Sequence, residues 1–187
     1  MRKLLVVVDV QKDFVEGGAL PYGWPKESNT KKVLDFVGEF SKQSNDNFIV
    51  ATKDTHVEDY METLEGKNLP VKHCIKNTPG WEFVDEIKEK CVGIEYHLDD
   101  VFLKRTFGTF AIKDWIDKLE KDTCEKFGEI ILIGYDLAIC VLANAVILRA
   151  AFPDKKITVL KDLCGCVNEE TFNSAIKVLE CQQIVVE

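Results

Sequence analysis

Six short apolar runs, rich in β-branched residues, alternate along the chain with amphipathic stretches, and this alternation limits the fold more than any other feature. The runs are KLLVVVDV (3–10), NFIVATKD (47–54), DVFLKRT (100–106), EIILIGY (129–135), KITVL (156–160) and QQIVVE (182–187). Residues 29–43, 81–91, 109–121, 138–151 and 168–181 read as helices between them. In the second of these, Trp81, Val84, Ile87 and Cys91 recur near the helical period. Such a rhythm predicts βαβ units around a parallel sheet, an α/β fold. The 187 residues are read as one domain, 1–187, long enough to bury roughly two thirds of the surface of the unfolded chain.

Two stretches interrupt the rhythm. EGGALPYGWPKES (16–28) and most of THVEDYMETLEGKNLPVKHCIKNTPG (55–80) read as loops, and loops this long in a folded domain are usually functional or disordered. The net charge is −8, and no basic run or Arg-aromatic cluster occurs, which argues against nucleic acid or an anionic membrane as partner. Seven cysteines without paired spacing, after an N-terminal apolar run that stops at an acid, point to a reducing, cytoplasmic compartment. No stretch approaches the roughly 18 apolar residues of a membrane span. A small-molecule partner remains.

Polar residues collect where the predicted strands end. Asp9 follows the first, Asp54 the second, Lys104 lies in the third, and Gly134 leads from the fourth to Cys140. In an open parallel sheet ligands bind beyond these carboxyl ends. Cys140 falls in the first turn of a predicted helix, where free N–H groups and the helix dipole stabilise a thiolate or an oxyanion. Each residue also has an ordinary reading. Cys140 can be a core thiol, Lys104 a lysine whose stem packs while its ammonium reaches water, Asp9 a buried acid holding loop amides, and Asp13 a loop brace. Together an acid, a cation and a thiol form a possible nucleophilic set.

A second group is KDTH (53–56) with KHC (72–74), which holds two of the three histidines. Asp54 and His56 can face the same way in an extended chain, and His73 lies across a loop. Asp/His/His suits Zn, Mn or Fe with positions left for water or substrate, although polar loop histidines are an equal alternative. His97 reads as a surface residue, and the Cys164-x-Cys166 pair as packing.

In order and spacing, VVVDVQKDF, TKDTH, LPVKHCIKNTPGWEF, FLKRTFGTF and GYDLAICVLANAV resemble the isochorismatase-like cysteine hydrolases, and within them the nicotinamidases. The resemblance covers nearly the whole chain. It implies a three-layer α/β fold with a six-stranded parallel sheet, and a homo-oligomer acting on a small-molecule amide. It places Asp9, Lys104 and Cys140 at the catalytic positions, with Asp13 as a structural acid. The backbone N–H groups of Asp136 and Cys140 become the oxyanion hole, shaped by a cis peptide between Tyr135 and Asp136. Phe14 and Tyr135 line the substrate pocket, and Asp54, His56 and His73 hold a divalent metal, zinc before manganese or iron. Lys104 is expected to favour the Cys140 thiolate.

The chain departs from the family pattern in two places. Asp136, Leu137 and Ala138 stand where relatives place a small residue, Thr and Asp, and a carboxylate beside an oxyanion hole opposes the developing charge unless it turns away or stays protonated. Pro70 stands near the position of a stacking tryptophan, for which Trp24 or Trp81 is a candidate replacement. Three readings follow: a metal-dependent nicotinamidase, an amidase acting on another small amide or carbamoyl compound, and a catalytically weak member that binds a ligand.

Overall fold

Both faces of β1 (Arg2–Val8) are apolar, which places it inside the sheet. Leu4, Val6 and Val8 point to one layer and Leu5 and Val7 to the other, all fully buried, as the period of two requires. In this computed structural model, which describes residues 2–15, 17–25, 29–85, 87 and 101–187, β1 pairs in parallel with β2 (Phe48–Asp54) and β4 (Phe127–Gly134). Adding β3 (Val101–Lys104), β5 (Lys156–Cys164) and β6 (Val185–Val186) gives a six-stranded sheet in the order β3-β2-β1-β4-β5-β6. All its pairings are parallel.

Helices cover both faces. Helix α1 (Thr30–Gln43) buries Val33, Leu34, Val37 and Phe40 against Leu5, Val7, Ile131 and Ile133. On the other side α3 (Ala111–Thr123), α4 (Leu142–Ala151) and α5 (Glu169–Cys181) bury Ile112, Ile116, Leu148 and Leu179 against Leu4, Val6, Leu132 and Val159. The sheet between two helical layers is the predicted three-layer α/β arrangement. No helix among the described residues is long and apolar enough to cross a membrane.

The differences from the expected elements have local causes. Strand β5 runs on to Cys164, beyond the apolar run that ended at Leu160, because Gly134 and Cys164 pair after a register shift. The long loop carries a 3-10 turn, Glu58–Glu62, and the short α2 (Leu64–Asn68). Thr63 caps α2 by accepting from Gly66 N at 3.0 Å, and Gly66 admits no side chain, since a Cβ there would lie 2.0 Å from the Tyr60 carbonyl oxygen. A 3-10 turn, Pro79–Trp81, occupies the start of the helix read over 81–91. Residues 86 and 88–91 of that reading, Cys91 among them, and His97 lie outside the described residues.

The amino ends of the strands, away from the residues at issue below, carry a charged clasp. Glu129 on β4 meets Lys3 of β1 at 2.9 Å and Lys156 of β5 at 2.8 Å, and Thr158 donates to it at 2.8 Å. Partial burial raises the Glu129 carboxyl, but Lys156, Lys3 and Thr158 outweigh it and bring the pKa from 4.5 to about 2. A carboxylate whose folded pKa lies below its unfolded one stabilises above the unfolded value and loses that contribution as pH falls through the folded one. Glu129→Gln is therefore expected to flatten acid unfolding between pH 4.5 and about 2, read as a loss of pH dependence in the urea midpoint over that window.

Candidate active site

Strand order turns back between β1 and β4, the place where open α/β sheets bind ligands. Asp9 leaves β1 there, Asp54 and Lys104 end β2 and β3, and Cys140 sits in the turn after β4. The structure brings the four side chains together and buries them. Lys104 Nζ lies 2.7 Å from Asp9 Oδ2, 3.3 Å from Asp54 Oδ1 and 3.4 Å from Cys140 Sγ.

Backbone and neighbours fix the two acids in different roles. Asp9 has a φ of 51°, in the left-handed region that residues other than glycine seldom use, and Thr52 Oγ1 donates to its Oδ1 at 2.7 Å. That leaves Oδ2 facing Lys104, and the carboxyl also shares a hydrogen bond with the Cys140 thiol. Asp13 instead accepts from Cys74 N at 2.7 Å and Ala19 N at 3.1 Å, the brace expected of it. Gln11 joins the strand ends, donating to the Asp54 and Trp81 carbonyls at 2.9 Å and accepting from Asp54 N at 2.7 Å.

The electrostatics set the resting protonation. Burial opposes the Lys104 charge, but Asp9, Cys140 and Asp54 outweigh it, so the ammonium keeps its proton. Burial pushes the Cys140 thiol well up; Lys104 pulls it down, while Asp9 and Asp54 push it further up. Lys104 does favour a thiolate, as expected, yet it does not prevail at rest. Burial also raises Asp9, against the pull of Lys104. A protonated thiol beside a carboxylate of raised affinity for protons is an arrangement in which a proton can pass from sulfur to oxygen.

Gly134 opens the turn that carries Cys140. Its φ is +120° and a Cβ would meet the Val8 carbonyl oxygen at 2.1 Å, so the chain passes close to β1 before the cis peptide Tyr135–Asp136. The helix predicted over 138–151 begins as a wide π turn, Leu137–Val141, and continues as α4. The Asp136 carbonyl accepts from Ile139 N at 3.2 Å and Val141 N at 3.0 Å, and the Cys140 N–H between them does not bond to it. The Asp136 N–H meets no acceptor among the described residues.

The Asp136 side chain is turned to local work. Its Oδ1 accepts from Ala138 N at 2.7 Å, capping the turn, and burial raises its carboxyl against hydrogen bonds from Ala138, Cys166 and Val167. Both effects reduce its opposition to an oxyanion. Loss of such a cap costs about 1 kcal/mol. Asp136→Ala is expected to lower the melting temperature by about 3 °C, whereas Asp136→Asn, which keeps the acceptor, stays near the parent in the same thermal scan.

A cavity of about 250 Å³ opens over Cys140, with Phe14, Tyr135, Asp136 and Ile139 in its walls. Tyr135 stacks on Tyr22 at 4.5 Å and its hydroxyl bonds Thr30 and Asn29 at 3.1 and 3.2 Å. Neither tryptophan replaces the missing stacking residue. Trp24 pairs with the Cys166 backbone, and Trp81 lies under Lys53 at 3.2 Å.

Asp54, His56 and His73 converge at the edge of this cavity, and a fourth donor that sequence reasoning missed, Glu65 of α2, joins them. The contacts are 3.1 Å (His56 Nε2–Asp54 Oδ2), 3.5 Å (His73 Nε2–Asp54 Oδ2), 3.6 Å (His56 Nε2–Glu65 Oε1) and 3.8 Å (His73 Nε2–Glu65 Oε1). Bonds of about 2.1 Å to one tetrahedral ion separate donors by about 3.4 Å, so the four fit a divalent metal. His73 Nδ1 lies 2.8 Å from the Val71 carbonyl, a contact that fixes the ring with Nε2 inward. Glu65 makes the longest contacts and is the loosest member. It sits nine residues past His56 with no motif spacing, so only the fold reveals it. The same holds for Thr52 and for Asn144, which donates to the Cys140 carbonyl at 2.8 Å and accepts from Thr109 N at 3.1 Å.

The isochorismatase domain model matches residues 3–187. The nicotinamidase of Escherichia coli strain K12 is 25% identical over 202 residues, covering 95% of this chain and 90% of that one. Among solved structures, the nicotinamidase/pyrazinamidase PncA from Bacillus subtilis superposes with a TM-score of 0.82 at 25% identity, covering 100% of this chain and 99% of the other. The pyrazinamidase of Pyrococcus horikoshii, solved in complex with zinc, shares the fold with a TM-score of 0.72 at 24% identity, over 99% and 98% of the two chains. A matched domain over nearly every residue, on the expected six-stranded parallel sheet, shows that the chain belongs to the isochorismatase family.

Proposed function

We propose that this protein hydrolyses the C–N bond of a small carboxamide, nicotinamide first, to the acid and ammonia through a thioester on Cys140. One observation carries the reading. A single cavity is faced both by the buried Cys140 and by Asp54, Glu65 and His73 of the metal-donor set, so one small ligand can meet a thiol at one end and a metal at the other. The similarity to nicotinamidases supports the choice of substrate.

Asp9 Oδ2 takes the proton of Cys140 Sγ, and Lys104 stabilises the thiolate as it forms. Sulfur attacks the carboxamide carbon, and the N–H groups of Asp136 and Cys140 receive the oxyanion. Asp9 returns its proton to the nitrogen, the C–N bond breaks and ammonia departs. Water then attacks the thioester with Asp9 as base, and the acid leaves as the thiol is restored. Phe14 and Tyr135 hold the ring. Asp54, His56, Glu65 and His73 would hold a divalent ion, zinc in the first place, which would supply a Lewis acid at the ring end of the substrate. The same proposal treats residues 1–187 as one domain and the enzyme as a cytoplasmic homo-oligomer.

The test is the stoichiometry of nicotinate and ammonia, with and without a chelator. Equal amounts of both products, lost on chelation and regained with zinc, are expected. Failure to turn over nicotinamide in the zinc-loaded protein overturns that substrate, and turnover indifferent to chelation overturns the metal's role.

A further inference from the structure

A second cavity, of about 300 Å³, opens on the far side of the metal-donor set. His56 lines this cavity, Asp54 and His73 line the one over Cys140, and Glu65 and Phe107 line both. The donors therefore form the partition between two spaces, and Glu65, the loosest of them, is the shared panel. The rims differ in chemistry. The mouth over Cys140 includes Leu20, Pro21, Ile139 and Val167. The second cavity meets solvent at the exposed Leu64, Asn68, Arg105 and Thr106, and the Arg105 charge is answered by Asp59 at 3.8 Å.

A hydrated dication gives up water only where other polar groups replace it, and an apolar passage offers none. We infer that the second cavity is the port by which the metal ion reaches and leaves the site, separate from the route of the organic substrate. Its ligand is a hydrated divalent cation. Glu65 is the carboxylate among the residues lining this cavity, and His56 faces the port beside it. This inference rests on the reading of Asp54, His56, Glu65 and His73 as metal ligands.

The experiment follows zinc alone, by stopped-flow with a chromogenic chelator, for loading into the stripped protein and release from the loaded one. Leu64 stands on the rim of the port, 77% exposed, so a larger side chain there narrows the opening without entering the core. Leu64→Trp is expected to slow loading and release alike, by about tenfold, leaving their ratio and hence the zinc Kd unchanged. Asn68→Trp, on the same rim, is expected to do the same, and Ile139→Trp, at the mouth over Cys140, to change neither rate. Equal slowing in both directions marks an obstructed path, because a damaged site changes the ratio. Unchanged rates in both port variants, a changed ratio, or slowing by Ile139→Trp in their place overturns the port. A folded protein that takes up no zinc removes the donor-set reading itself, an outcome distinct from a loaded site whose rates ignore the rim.

Discussion

Cys140→Ala is expected to lower kcat/KM for nicotinamide by at least about 10⁴-fold, the scale on which loss of a nucleophile acts when no other group can form the covalent intermediate. Zinc content should remain at the parent level, because Cys140 Sγ contacts Lys104 and not the histidines. The folded state should also persist, since the change removes one sulfur from a site that already borders a cavity. The measurement is ammonia release by matched, zinc-loaded samples. A variant retaining more than a hundredth of parent activity would mean that the thiol is not the attacking group.

The second large effect concerns the buried ion pair. Asp9→Asn removes the carboxylate proposed as the base and leaves the Lys104 ammonium with Asp54 at 3.3 Å as its remaining acid. Loss of a positioned general base lowers kcat by about 10² to 10⁴-fold. Breaking a buried pair from one side costs about 3 to 5 kcal/mol, or about 10 °C in melting temperature for a chain of this size. The double variant Asp9→Asn with Lys104→Met removes the half-paired ammonium, but it also takes from buried Asp54 the cation that most lowers it, leaving His56 and His73 as its partners. It is expected to regain part of the lost stability and none of the activity. Thermal scans and turnover on the four proteins of this cycle separate the two roles. Were the double variant no more stable than Asp9→Asn alone, the 2.7 Å contact would not be the electrostatic centre described here.

Much of this arrangement was legible before the structure because apolar patterning and strand ends are local signals. Strand β1 declares itself through Leu4 to Val8 and stops at Asp9, and a parallel sheet then carries Asp54, Lys104 and Cys140 to the same edge. What was hidden depends on contacts between distant segments. Glu65 lies in the first turn of a short capped helix inside a stretch with no periodicity, so nothing near it in the chain marks a ligand. Asn144 lies on an apolar helix, where its bonds to Cys140 and Thr109 become visible only with the loop beside it. Asp136 is the reverse case. Its charge suggested interference with an oxyanion, and only the geometry shows the carboxylate turned to Ala138. The protonation of Cys140 was also beyond reach, since burial and two acids decide it against Lys104.

The most direct test of the thioester is competition between water and hydroxylamine. Nicotinamide and methyl nicotinate, offered separately with the same hydroxylamine concentration, should give the same ratio of hydroxamate to nicotinate if both pass through one acyl group on Cys140, and neither should turn over in Cys140→Ala. A ratio that differs between amide and ester would mean that no common acyl-enzyme exists, and would contradict the nucleophilic role assigned to Cys140.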